Sequence, residues 1–418
     1  MAGRAFASPL GRGVRGARGA AAPAANWVVR RRPPDYVLFA FVATLVVFGV
    51  IAVYSASYAF AAFEFDDPNY FFRRQAMWAV IGFGALLVFM NLDYRWLRYL
   101  ALPLIAVTIL MLAAVLVVGD DVNGARRWIT IGPFGGQPSE LAKFAVLIYM
   151  SAWLVAKGET VRDFQMGVAP FLAIVALVGG LVMAEPDLGT TLMIAAITGT
   201  LFFVAQSRLS HVLLLAMGTL LAGGVLILAS GYRVDRITSF TSAETDPSGL
   251  GFQTLQMLVA FGSGGVWGLG LGVSRQKFLY VPGAHTDGMM AIIGEELGFV
   301  GVVMILVLFA GVIWRAARIA HRAPDKFGSL LATGIIAWLG FQLLINVGGV
   351  TRMIPLTGIP LPFLSYGGSA LAATMAAVGV LLSISRYAAL GPADEAPRGA
   401  VRASVPDVAP GRGSRGQR

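Results

Sequence analysis

Three carboxylates of this chain stand where carboxylates are costly. The stretch Tyr280 to Gly298, YVPGAHTDGMMAIIGEELG, carries Asp287, Glu295 and Glu296 into an apolar segment that continues from Phe299 to Trp314 without a further charge. An ionisable side chain at such a place is expensive, and by default it marks a functional site. A carboxylate there can act as a general base, and partial desolvation would raise its basicity. Helix capping is the structural alternative for Asp287, yet Thr286 beside it could cap equally well. Glu295 and Glu296 follow eight and nine residues later, roughly 12 Å deeper at ~1.5 Å per residue. That exceeds the carboxyl separation of a glycosidase pair, and helical rotation points Glu296 away, so a hydrolytic dyad with Asp287 is disfavoured. A structural hydrogen-bond network and a direct role both stay open for these two.

Other reactive types recur in short clusters. Glu140 and Lys143 are three apart, share one helix face and can pair. Arg126 and Arg127 adjoin Trp128, which suits an interfacial anchor or an anionic ligand equally. Glu185 and Asp187 flank Pro186, where capping is again the plain alternative. Cysteine is absent, which excludes disulfides, Cys-ligated zinc and thiol catalysis. The histidines, His211, His285 and His321, are scattered, so no metal centre is expected. His211 and His321 read as solvated; His285 reads as orienting the Asp287 loop.

The elements that must position these groups are helices in a bilayer. Hydrophobic residues make up 57% of the 418 and charged ones 13%, with a mean hydropathy of +0.74. The expected fold is an all-α polytopic membrane protein. About ten spans can be read, at 36–58, 76–92, 99–118, 138–156, 167–184, 189–206, 210–229, 288–314, 328–349 and 367–387. No signal-peptide cleavage pattern precedes the first, because Pro33, Pro34 and Asp35 lead directly into it. Of the 32 Lys and Arg residues, 22 fall on the side of the N-terminus if the spans alternate. The positive-inside rule then puts both termini in the cytoplasm, and the net charge of +10 reads as topogenic and lipid-facing rather than nucleic-acid-binding. Residues 1–35 and 388–418 read as disordered basic tails around a 36–387 membrane core.

On that topology the polar motifs gather on the outer face. They are the loop 119–143, the turn at Glu185–Thr190, the loop at 349–369 and the long loop 230–287 between spans seven and eight. Within the long loop the apolar run 249–261 suits an interfacial or re-entrant helix. Irregular backbone at membrane depth persists only where protein buries it or water fills a cavity, so an outward-opening cavity is expected.

Taken in order, six motifs resemble the SEDS family (shape, elongation, division and sporulation). They are Arg126-Arg127-Trp128-Ile129, Gln137-Pro138-Ser139-Glu140-Leu141-Ala142-Lys143, Glu185-Pro186-Asp187-Leu188-Gly189-Thr190, His285-Thr286-Asp287, Gly294-Glu295-Glu296-Leu297-Gly298 and Leu364-Ser365-Tyr366-Gly367-Gly368-Ser369. The run Gly270–Lys277 followed by Tyr280-Val281-Pro282 is closer to the division and sporulation members than to the elongation member. One departure is Gly288-Met289-Met290 after the Asp, where the family has Phe-Ile-Phe. A glycine there gives the helix start no side chain to pack.

The resemblance implies a glycosyltransferase that polymerises lipid II into peptidoglycan strands at the outer membrane surface, during septal wall synthesis. It makes Asp287 the catalytic residue. It implies substrate contacts from Arg126, Arg127, Trp128, Glu140, Lys143, Glu185, Asp187, Gln253, His285, Thr286 and Ser365. Glu295, Glu296, Gly367 and Gly368 would serve structure, the glycines through close helix packing. Lipid II carries its own diphosphate leaving group, so no nucleotide-cradling loop is needed and none is visible. Cationic side chains, or a divalent cation, would stabilise the departing undecaprenyl diphosphate. The implied partners are the lipid-linked glycan strand, a class B penicillin-binding protein (a transpeptidase), other division proteins and membrane lipid. A lipid II flippase or a non-catalytic scaffold are the alternatives. A flippase needs polar lining along the whole path, which the short inner loops lack, and a scaffold leaves the position of Asp287 unexplained.

Overall fold

The computed structural model of the chain describes residues 32–387 except 123–124, 132–133, 206, 229–233, 235–239, 241–249 and 279. The expected tails, apart from residues 32–35, and much of the first half of the long loop therefore lie outside the described residues; residues 32–35 are ordered against the core, with the Arg32 N–H donating to the Arg386 carbonyl. Ten helices, α1 to α7 and α9 to α11, match the ten expected spans. They are α1 (Tyr36–Phe65), α2 (Tyr70–Asn91), α3 (Trp96–Val118), α4 (Pro138–Lys157), α5 (Ala169–Ala184), α6 (Leu188–Val204), α7 (Leu209–Leu228), then α9 (Met289–His321), α10 (Lys326–Val350) and α11 (Gly368–Arg386). The intervening α8 (Leu250–Gly264) lies in the long loop. Among the described residues eight helices are long and apolar enough to cross a membrane, while α6 and the described apolar part of α7 are shorter. α8, at 15 residues, is too short to cross, as expected of an interfacial or re-entrant helix.

The helices bury little of themselves where lipid can cover them. α3 turns Leu102, Leu110 and Val117 outward, at 66%, 69% and 75% exposure. Water would penalise that face and hydrocarbon does not. α4, α10 and α11 are instead buried on most sides and form the centre. That is why polar groups on α4 and α10 can point into protein rather than lipid.

Two features depart from the helical expectation. The segment after α3 folds into a small antiparallel sheet of β1 (Asp120–Val122), β2 (Ala125–Ile131) and β3 (Phe134–Gly136), in that order. β1 and β3, at three residues each, carry too few residues for a period-2 signal. The second is a break in α9. Gly298 adopts φ 67° and ψ −166°, and a Cβ there would lie 2.3 Å from the amide nitrogen of Gly268. The 264–270 segment fills the break. Leu269 and Gly270 donate their N–H groups to the carbonyls of Glu295 and Glu296, at 2.9 Å each. Phe299 and Val300 donate in turn to the carbonyls of Gly265 and Val266. Backbone freed by the break is thus satisfied by protein, which membrane depth demands.

At the end of the bundle away from the sheet, side chains pair with one another. Asp35 caps α1 by accepting from the Leu38 N–H at 3.0 Å and pairs with Arg315 at 2.6 Å. Asp325 caps α10, pairs with Arg95 and accepts from the Tyr94 hydroxyl. Burial pushes the Tyr94 pKa up, so its proton stays on the ring oxygen.

Candidate functional site

A cavity of about 510 Å³ opens between the start of α4, the turn joining α5 to α6, the 354–360 loop and the start of α11. Its wall includes Arg127, Trp128, Glu140, Lys143, Asp187 and Thr286. Six residues expected to touch substrate are therefore brought together, along with Gly367. Asp287 directly follows Thr286, is partly exposed, and accepts from the Thr286 hydroxyl at 3.0 Å. It does not cap α9: that position falls to Gly288, with no side-chain capping bond. Its turn is shaped by Gly283 (φ 67°), where a Cβ would lie 2.6 Å from Asp287 Oδ1.

Lys143 is 1% exposed and Glu140 4%. Lys143 Nζ donates to Glu140 Oε1 at 2.8 Å and lies 5.2 Å from the centre of the Trp338 ring. Glu140 Oε2 is buried without a hydrogen-bond partner among the described residues. Asp187 combines two tasks. Its Oδ1 caps α6 through the Thr190 N–H at 2.9 Å, and its Oδ2 accepts from Thr190 Oγ1 at 2.8 Å and Gln137 Nε2 at 3.1 Å. Arg127 donates to the carbonyls of Glu185 and Pro186, at 2.7 Å each, so part of its guanidinium holds the turn that presents Asp187.

Asp287 itself is not among the residues that line the cavity, and neither are the remaining candidates. Glu185 is fully buried, and neither carboxyl oxygen has a hydrogen-bond partner among the described residues. Burial, then the neighbouring Asp187 charge, pushes its pKa up to about 8, with Arg127 opposing. His285 packs against Phe71, Phe60 and Tyr366, with ring centres 4.4, 5.5 and 5.7 Å away. Burial lowers its pKa to about 4, so the ring is neutral, and its carbonyl accepts from the Tyr366 N–H at 2.8 Å. Gln253 donates to the Pro282 carbonyl, Ser365 Oγ accepts from the Leu361 N–H, and Arg126 is exposed with a bond to the Val117 carbonyl. These three, like His285, shape or flank the site.

Glu295 and Glu296 sit in a separate network. Glu295 accepts from the Ser274 hydroxyl and from the N–H groups of Arg275 (3.0 Å) and Gln276 (3.3 Å). Glu296 Oε1 accepts from Ser55 at 2.7 Å and Lys277 at 3.0 Å, beside a second cavity of about 410 Å³ against α1. No group of three or more His, Asp or Glu that could hold a metal occurs among the described residues. Sequence reasoning passed over Trp338, Gln342 and Asn346 of α10, whose bonds bind the cavity wall. Their signal is polar side chains recurring every four residues in an apolar span.

The family described as cell cycle protein (FtsW, RodA, SpoVE) matches residues 35–390. The chain belongs to this family. It is similar to stage V sporulation protein E of Bacillus subtilis, 43% identical over 360 residues, covering 86% of this chain and 98% of the relative. It is also similar to a protein of Trichlorobacter lovleyi named probable peptidoglycan glycosyltransferase FtsW, 41% identical, with 86% and 94% covered. Among solved structures it resembles a chain reported under "Structural coordination of polymerization and crosslinking by a peptidoglycan synthase complex", with TM-score 0.70, 30% identity, and 84% and 98% covered. The rod shape determining protein RodA of Thermus thermophilus gives TM-score 0.64 and 30% identity, covering 88% of this chain and 100% of RodA. The expected family and the all-α membrane fold both hold.

Proposed function

We propose that this chain is a peptidoglycan glycosyltransferase that polymerises lipid II at the outer face of the cytoplasmic membrane. The observation that carries this is the 510 Å³ cavity, lined by Lys143, Arg127, Asp187 and Thr286, the residue that directly precedes Asp287 in the chain. The relatives named as such enzymes support it. Asp287 takes the proton from the acceptor sugar hydroxyl as its oxygen bonds to the anomeric carbon. The bond from that carbon to the diphosphate breaks, and undecaprenyl diphosphate leaves with the electron pair. Attack opposite the leaving group inverts the anomeric centre. Lys143, with Arg127 at the rim, stabilises the charge that develops on the diphosphate. A divalent cation held by the diphosphate itself is compatible with this, since the substrate would supply its ligands.

The solved synthase complex supports a penicillin-binding protein partner, and the sporulation and division relatives support septal work. Sealed proteoliposomes test the whole reading. Labelled lipid II offered only in the leaflet on the sheet-bearing side should yield glycan strands without a transmembrane gradient. Leaflet exchange with no polymer, even with the cognate transpeptidase present, would overturn it in favour of a flippase.

A further inference from the structure

Asn346 is 3% exposed in the last turns of α10, and nothing in the proposed chemistry calls on it directly. Both of its amide hydrogens are committed: Nδ2 donates to the carbonyl of Asp287 at 3.0 Å and to that of Ile359 at 2.8 Å. Four residues earlier Gln342 donates to the Pro360 carbonyl at 2.8 Å. It accepts from Trp338 Nε1, also at 2.8 Å, and the Trp338 ring lies 5.2 Å from Lys143 Nζ. Residues four and eight apart stand on one helix face. One stripe of α10 therefore touches two walls of the cavity, Lys143 on α4 and the Ile359–Pro360 loop, and also the backbone of Asp287, next to the lining residue Thr286.

We propose that Asn346 is a positioning residue, which sets the register of Asp287 against Lys143 through the stripe Trp338–Gln342–Asn346. The inference rests on the glycosyltransferase reading and adds the part that aligns its base. The turn that carries Asp287 is closed by the Thr286 and Gly288 N–H groups, which both donate to the Gly283 carbonyl, and Asn346 ties this turn to α10. A buried amide satisfying two carbonyls is costly to replace, because an apolar substitute leaves both carbonyls without that donor. It also distinguishes two kinds of defect. Loss of the Asn346 bonds displaces the base, whereas loss of the Gln342 bond loosens a wall.

The test is steady-state polymerisation of labelled lipid II by the purified full chain with its transpeptidase partner, with thermal unfolding measured alongside. Asn346→Asp keeps the size and leaves at most one donor, the O–H of the protonated acid, for the two carbonyls; Asn346→Leu removes polarity altogether. Both should lower kcat about 10²-fold, the scale of an ångström-level misplacement, with KM within about threefold. Gln342→Leu should raise KM about tenfold and lower kcat less than either Asn346 variant. Wild-type kcat per folded molecule in Asn346→Asp overturns the inference. So does an equal loss of kcat, KM and melting temperature in all three variants, which would mark general destabilisation. The two readings separate through Asp287→Asn: if that variant polymerises as wild type does, the base assignment falls and takes this inference with it. If it is inactive while Asn346→Asp is not, only this inference falls.

Discussion

Two buried Lys–Glu pairs, Lys143–Glu140 and Lys277–Glu296, are alike in burial and in ion-pair distance, at 2.8 and 3.0 Å, and differ in how completely they are bonded. Lys277 Nζ donates to Glu296, Ser55 and the Gly272 carbonyl, at 3.0, 3.1 and 2.7 Å. Glu296 draws a further donor from Ser55. Among the described residues Lys143 makes a single hydrogen bond, and the outer oxygen of Glu140 has none. Each pair borders a cavity. A saturated network rigidifies, and an unsaturated buried one is kept at a cost in stability that packing alone does not explain. Lys277–Glu296 thus pins the 271–277 loop onto the first half of α9, below the break at Gly298. Lys143–Glu140 keeps bonding capacity free toward the cavity.

The largest effect expected is that of Asp287→Asn. The amide keeps the shape but cannot take a proton, so polymerisation should fall by about 10²–10⁴-fold, the scale of general-base catalysis, with membrane insertion unchanged. Near-normal strand formation in the lipid II assay would remove Asp287 as the base. Next come paired substitutions, which separate charge chemistry from burial. Lys143→Met with Glu140→Gln removes both charges at once, so folding should survive while turnover drops about 10²–10³-fold. Lys277→Met with Glu296→Gln should keep turnover within about tenfold of wild type. Single Lys277→Met should cost roughly 3–5 kcal/mol of stability, because it strands a buried carboxylate. Equal catalytic losses in the two double variants, measured per folded molecule, would erase the distinction between the pairs.

The same contrast shows what a sequence can disclose. Length and apolarity reveal helices, since spanning hydrocarbon requires both, and each of the ten expected spans coincides with one. Edges are less visible. α2 begins at Tyr70 rather than 76, because Arg73, Arg74 and Gln75 in its first turns depress the hydropathy without breaking the helix. α9 runs on to His321 through Arg315 and Arg318, which lie beyond the apolar stretch but still in helical register. Asp287, Lys143 and Asp187 are legible as chemistry because charge in an apolar context is conspicuous. What stays hidden is pairing. Arg127 looks like a ligand for anions, yet two of its bonds go to backbone carbonyls that only folding brings near. The Glu295–Glu296 network needs the 264–277 segment to return and fill a break that Gly298 permits but does not announce. Asn346 is inconspicuous because one amide in a span is neutral, and its importance lies in the two carbonyls it reaches.

The smallest and most specific effect concerns Glu185, the buried acid that the cavity does not use. Both of its oxygens lack hydrogen-bond partners among the described residues, and burial with the nearby Asp187 charge raises its pKa from an ordinary 4.5 to about 8. The folded chain therefore retains a proton that the unfolded chain gives up as pH rises past the ordinary value. A raised carboxyl pKa contributes fully below the unfolded value and is lost as pH climbs to the folded one. Relative to Glu185→Gln, which holds the neutral form at every pH, wild type should lose stability steadily between about pH 4.5 and about pH 8. Above that the carboxylate is ionised in both states, so the difference should level off. Thermal unfolding in detergent across that range checks it. Parallel curves for wild type and variant would mean that the carboxylate finds a partner or water on ionising. The Arg127 guanidinium, already bonded to the Glu185 carbonyl, is the group placed to supply that partner, and Arg127→Gln should then steepen the wild-type slope.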